Sequence, residues 1–171
     1  MKKLAILILM ALGVAALGCG HSNIAPPTQT QTGGEWEAQL IGGLGQASLL
    51  NFVTDFNVTN TNGGTNEPLS ISSFGFFNVQ SCFVTRNESG SANLTTSTTN
   101  QVTGSMLYTV QSVNPPGNTL TLTSNNVTGT ASNGSLTGGI VTGTWTLTGG
   151  TGCTGSGTFT LCQGKSSCST T

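Results

Sequence analysis

The stretch SMLYTVQSVNPPGNTLTLTS, residues 105–124, decides the fold. Met106, Tyr108 and Val110 occupy every second position, with Ser105, Leu107, Thr109 and Gln111 on the alternate ones. After Pro115-Pro116-Gly117-Asn118 the alternation resumes, with Leu120 and Leu122 set against Thr119, Thr121 and Thr123. A period of two belongs to an extended strand, whose side chains point to opposite faces in turn. Proline and glycine between two such runs interrupt the pattern and reverse the chain. The stretch therefore reads as an antiparallel hairpin with one apolar face and one threonine face.

The same period recurs on both sides. In EWEAQLI (35–41), Trp36, Ala38 and Leu40 oppose Glu35, Glu37 and Gln39. In LLNFVTDFNVT (49–59), Leu50, Phe52, Phe56 and Val58 align, with Asp55 and Asn57 opposite. PLSISSFGFFNV (68–79) begins with Leu69 and Ile71 in phase; its phase is ambiguous around Phe74-Gly75-Phe76-Phe77, where Gly75 suggests a bulge. Further on, Trp145 pairs in phase with Leu147, and Phe159 with Leu161. Asn62-Gly63-Gly64, Asn133-Gly134 and Gly149-Gly150 supply turn chemistry between runs. Beyond the N-terminal segment no window carries a 3.6-residue period. The fold class is all-β: an antiparallel up-and-down meander of about eight to ten strands closing as a barrel or a sandwich. One β domain over residues 35–163 is expected, with 164–171 a C-terminal tail. T-G-x-x-T-x-T echoes in the last third are too irregular for a solenoid and fit neighbouring hairpins.

The N-terminus follows a different grammar. Met1-Lys2-Lys3 is cationic, and Leu4 to Leu17 is an apolar run of 14 residues. That length suits a signal-peptide helix and falls short of the ~20 residues needed to span a bilayer. Ala16-Leu17-Gly18-Cys19 resembles the processing motif of bacterial lipoproteins, with a small residue just before the cysteine; Ala16 and Leu17 depart from its commonest form. The same residues also satisfy the small-x-small rule of ordinary signal cleavage. The resemblance implies cleavage after residue 18 and acylation of Cys19, so that the partner is membrane lipid. Each buried acyl methylene contributes about 0.8 kcal/mol to such an anchor. It further implies a bacterial cell envelope, with Gly20 directing the protein to an outer membrane. Residues 19–34, with Pro26-Pro27 and Thr/Gln alternation, read as the lipidated cysteine and a flexible tether.

Cysteine parity agrees with that reading. Apart from Cys19 there are four cysteines, Cys82, Cys153, Cys162 and Cys168, an even set in an exported chain, where thiols pair as disulfides. Four cysteines allow three pairings. Cys162 falls out of phase with Phe159 and Leu161, so its side chain is expected to face outward and pair nearby with Cys168. Cys82 would then pair with Cys153, joining distant strands.

Composition narrows the chemistry. Beyond residue 18 the strong cations are Arg86 and Lys165, against Glu35, Glu37, Asp55, Glu67 and Glu88, a net charge of −3. Nucleic-acid binding needs a basic footprint that this chain lacks. The single histidine, His21, lies in the tether, so no Ser–His–acid or Cys–His arrangement is available to the β domain. No metal site is expected, since the cysteines are widely and unevenly spaced and no Asp-rich loop is present. No cofactor is expected. Glu35 and Glu37 share one face of the first strand and read as solvated. Asp55, Glu67 or Glu88 gathered with Arg86 in a cleft would be the remaining route to catalysis.

Two further resemblances bear on function. Gly34-Glu35-Trp36 on the first strand is similar to the Gly-x-Trp signature of lipocalins and related calycin barrels, whose interiors hold small apolar ligands. In them the tryptophan packs near the closed end against a late basic residue, a role open to Lys165. The ladders Thr119-x-Thr121-x-Thr123, Thr142-x-Thr144-x-Thr146-x-Thr148 and Thr158-x-Thr160 resemble arrays on ice-binding and adhesive surfaces, though threonine also simply suits an exposed strand face. As a whole, the chain resembles small bacterial lipoproteins with a tether and a Thr/Gly-rich β domain. The leading expectation is a membrane-anchored, non-enzymatic module with a structural or surface-interaction role. The alternative is a calycin-like barrel carrying a small apolar ligand. A carrier requires an apolar cavity reached from one end; a structural module should be packed solid by its Phe and Trp side chains.

Overall fold

A computed structural model of the protein describes residues 35–42, 47–58, 61, 66–132 and 135–163. The segments expected to be signal peptide, tether and tail, with Asn62-Gly63-Gly64 and Asn133-Gly134, lie outside them. Eight strands follow in order: β1 Trp36–Ile41, β2 Phe52–Val58, β3 Glu67–Phe76, β4 Thr85–Thr96, β5 Gln101–Asn114, β6 Thr119–Ser132, β7 Ser135–Thr148 and β8 Gly155–Gln163. Each pairs antiparallel with the next, and β1 pairs with β8 from Trp36↔Gln163 to Ile41↔Thr158, closing the sheet as a barrel. The expected all-β meander is therefore present, and closure decides barrel over sandwich.

The hairpin of residues 105–124 is the turn end of the β5–β6 ladder. Tyr108 pairs with Leu122 and Val110 with Leu120, and all four are fully buried. The other in-phase residues, Trp36, Ala38, Leu40, Phe52, Phe56, Val58, Trp145, Leu147, Phe159 and Leu161, fill the same interior. Eight strands enclose a lumen just wide enough for side chains or one small ligand. Here aromatic rings occupy its middle. Trp36 stacks on Phe56 at 5.0 Å, Phe52 on Tyr108 at 5.6 Å, and Phe74 lies 4.7 Å from Phe52.

Glycine makes room for the two indoles. A Cβ on Gly139 would stand 2.8 Å from the Trp36 ring. One on Gly157 would come within 2.1 Å of the Ile41 carbonyl and 2.8 Å of Trp145 Nε1. Much of the glycine-rich flavour of the last third is thus a packing requirement.

The structure corrects three local expectations and adds a strand that the alternation did not show. The β3 bulge falls at Ser72, between the pairs Asp55↔Ser73 and Phe56↔Ile71, and not at Gly75, which pairs regularly with Val53. The extra residue at Ser72 brings Phe74 and Phe76 into the inward row. Strand β4 carries almost no apolar alternation and escapes a hydrophobicity reading: its inward row is Arg86, Glu88, Gly90, Ala92 and Leu94. Glu35 is buried and not solvated. Cys162 takes the outward phase, opposite Glu37 and Ile140, yet is fully buried.

The threonine ladders merge across strands. Thr119, Thr121 and Thr123 pair with Thr148, Thr146 and Thr144, and Thr144 and Thr142 pair in turn with Thr158 and Thr160. Such cross-strand pairs contribute roughly 0.2–1 kcal/mol each to the sheet.

Candidate functional site

Antiparallel strands place their connections at two ends. β1 enters at one end, together with the β2–β3, β4–β5 and β6–β7 connections. The other end gathers Gly42 and 47–51, with 77–84, 115–118 and 149–154. That far end is tied together. Cys82 and Cys153 form a disulfide with Cα atoms 5.8 Å apart. Buried Asn118 donates from Nδ2 to the Cys82 carbonyl at 2.9 Å and accepts from the Gly150 N–H at 3.0 Å. The Gln80 amide donates to the Leu49 carbonyl. All four connections are thereby tied to one another at the barrel mouth.

Beneath them lies a cavity of about 240 Å³. Its floor is Trp145 and Leu147 of β7. One wall is the 3-10 turn Ala47–Leu50 and another is Cys82 with Gln80. Trp145, itself buried, is oriented by its Nε1–H donating to the Ile41 carbonyl at 3.2 Å. The lining is mostly apolar, with Gln80 and Thr154 adding polar groups to it.

A second, shallower cavity, of about 440 Å³, lies on the outside of the barrel wall. Between β3 and β4 the ladder consists of two pairs, Glu67↔Ala92 and Pro68↔Ser91. Past these the strands part, and the fissure is lined by Ile71–Phe74 on one side and by Val84–Arg86 with Glu88 on the other. Arg86 spans it. Its Nη2 donates to the Phe74 carbonyl at 3.3 Å, its guanidinium lies 4.9 Å and 5.4 Å from the centroids of Phe74 and Phe76, and its Nε meets Glu88 Oε1 at 3.1 Å. Nε is buried, and its contact with Glu88 is an ion pair, not an aligned hydrogen bond. Burial pushes the Glu88 carboxyl above the usual carboxylate range, with the Arg86 charge opposing that rise. Behind the fissure, Thr54 donates to the Ser73 carbonyl at 2.9 Å. Its one proton being committed there, Thr54 accepts the Tyr108 hydroxyl proton across 2.7 Å. Burial raises the Tyr108 pKa, and the Thr54 hydrogen bond partly counters it.

The residues singled out from sequence divide clearly. Arg86 and Glu88 are brought together. Asp55 faces outward opposite Ser73, and Glu67 lies at the far end of β3, so neither joins them. Glu37 accepts from Gln39 Nε2 at 3.2 Å. Trp36 is buried toward the end where β1 enters, opposite the apolar cavity, while Lys165 lies outside the described residues. Of the cysteines, Cys82–Cys153 pair as expected and Cys162 is disulfide-bonded; Cys19 and Cys168 lie outside the described residues. Among the described residues no His/Cys/Asp/Glu cluster has metal-binding geometry. Ala47, Leu49, Leu50 and Gln80 were not singled out as cavity residues, because their convergence depends on loop packing. The one legible signal was Cys82, whose bridge to Cys153 was expected to join distant strands. No protein-family model, curated protein or solved structure matches the chain.

Proposed function

We propose that this protein is a small-ligand-binding barrel, holding one compact apolar molecule in the end cavity above Trp145. The observation that carries this reading is the placement of space. Aromatic rings pack the middle of the barrel, yet an apolar chamber of about 240 Å³ is kept under a tied mouth. Trp36 at the end opposite the cavity supports the calycin-like reading over a purely structural role. The Cys82–Cys153 bridge fits an oxidising, extracytoplasmic compartment.

Acylation at Cys19 belongs to the same proposal and is supported by the lipoprotein-like Ala16-Leu17-Gly18-Cys19. The barrel would then hang from the end where β1 begins, with the cavity directed away from the membrane. Radioactive palmitate should label the wild type and not Cys19→Ser; equal labelling would overturn the anchor. For the ligand site, the exported chain carrying Cys19→Ser is titrated with N-phenyl-naphthylamine. Its emission should rise on binding, and Leu49→Trp, which places an indole in the chamber, should abolish the rise without lowering the melting temperature. Enhancement that survives Leu49→Trp would place the probe elsewhere and sink the reading.

A further inference from the structure

Arg86 is the only lysine or arginine between residues 35 and 163. A chain that makes its surface from threonine and serine has no solubility reason to turn that one cation inward. It nevertheless sits in the inward row of β4, beside the only other charge in that row, Glu88, with side-chain exposures of 25% and 21%. Burying an ion pair is a poor route to stability, because desolvation offsets the attraction and an apolar pair of similar volume serves as well. Holding β3 to β4 does not require it either: regular pairing, as between β4 and β5, would do so without charge.

The pair is also pre-organised. Stacking on Phe74 and Phe76 and donation to the Phe74 carbonyl fix the guanidinium plane. Glu88, two residues along the same face, presents its carboxylate beside it. The fissure adds the unpaired β3 edge and the exposed hydroxyls of Ser73 and Thr85.

We infer that the fissure between β3 and β4 is a second binding site, for a small zwitterion of the α-amino-acid type. Its carboxylate is received by Arg86, its ammonium by Glu88, and an apolar side chain lies against Ile71 and Val84. Charge balance selects this class. An anion alone would approach Glu88 as closely as Arg86, and a cation alone would meet Arg86. A ligand bearing both charges on neighbouring atoms opposes each with its complement and leaves the fissure neutral. At about 440 Å³ the cavity has room for such a molecule. This inference stands apart from the apolar chamber, which contains neither residue.

The test is calorimetry on the exported Cys19→Ser chain with three probes: L-leucine, its methyl ester, which lacks the carboxylate, and N-acetyl-L-leucine, which lacks the ammonium. L-Leucine should bind, and each one-charge analogue should bind at least about tenfold more weakly, the scale of one lost charge-assisted hydrogen bond. Glu88→Gln, close in shape to the original, should weaken L-leucine by a similar factor while leaving the acetylated compound unaffected or tighter. Amide resonances of Ser72–Phe74 and Thr85–Glu88 should shift with L-leucine in the wild type. No heat with L-leucine, equal affinity for the acetylated analogue, or binding unchanged by Glu88→Gln would each overturn the assignment. Naphthylamine fluorescence reports the other cavity separately, so failure at one site is distinguishable from failure at the other.

Discussion

Thr54 is a polar residue in a row of aromatics, and its place in the core depends on two hydrogen bonds. It gives its proton to the Ser73 carbonyl and takes one from Tyr108, so removing either partner has unequal consequences. Tyr108→Phe deletes a donor and leaves Thr54 still bonded to Ser73; the expected loss is about 1 kcal/mol. Thr54→Val keeps the shape but strands the buried Tyr108 hydroxyl and the Ser73 carbonyl, and should cost about 1–3 kcal/mol. Urea denaturation of the two variants measures the difference, and equal losses would contradict the bonding direction. Glu88 makes a second residue-scale prediction. Its folded pKa lies above 4.5, so below that value the group is protonated in both states and between the two values only the folded state holds the proton. Stability linked to Glu88 is therefore full in acid and declines as pH rises from about 4.5 through the raised pKa. Melts across that window should show the wild type losing stability relative to Glu88→Gln as pH increases. A difference that does not change with pH would remove the burial argument.

At the scale of elements, alternation was enough to place seven of the eight strands, because each presents a large apolar side chain at every second inward position. β4 was not legible. Its inward row holds a salt bridge and a glycine in the half facing the fissure, and Leu69 packs over Gly90 where an apolar side chain would otherwise be expected. The strand that hydrophobicity misses is the one that carries the charged site, and for one reason: a row given over to polar chemistry loses the apolar signature. The Cys82–Cys153 bridge acts between elements. It spans 71 residues, for which loop-closure entropy gives about 4 kcal/mol. The double variant Cys82→Ser/Cys153→Ser should lose roughly 2–5 kcal/mol in chemical denaturation, and naphthylamine enhancement should fall as the mouth loosens. Asn118, bonded to both bridged segments, should keep part of the end ordered, so that near-ultraviolet signals from Trp145 weaken without vanishing.

Across the whole molecule, the apolar set lies inside and threonine ladders cover β6, β7 and β8, the reverse of a barrel whose outer surface meets lipid. Pairing is extensive from β4 round to β8 and β1, and thin at two seams, β1–β2 with three pairs and β3–β4 with two, the latter without a short helical turn packed beside it. The β3–β4 seam should therefore open first. Amides on the facing edges of Ile71–Phe74 and Thr85–Glu88 should exchange faster than those paired between β5 and β6 by about tenfold or more, in keeping with a lower local opening free energy. Uniform protection around the barrel would contradict it. Period two, turn residues and cysteine parity are local properties, and they were sufficient for an all-β meander, for most of its inward residues and for one disulfide. Closure of β1 on β8, the chamber under the tied mouth, and the meeting of Arg86 with Phe74 and Phe76 were not legible in advance. Each depends on strand stagger, on a bulge at Ser72 and on loops converging from distant parts of the chain, and no one-dimensional pattern encodes the distances at which those parts finally meet.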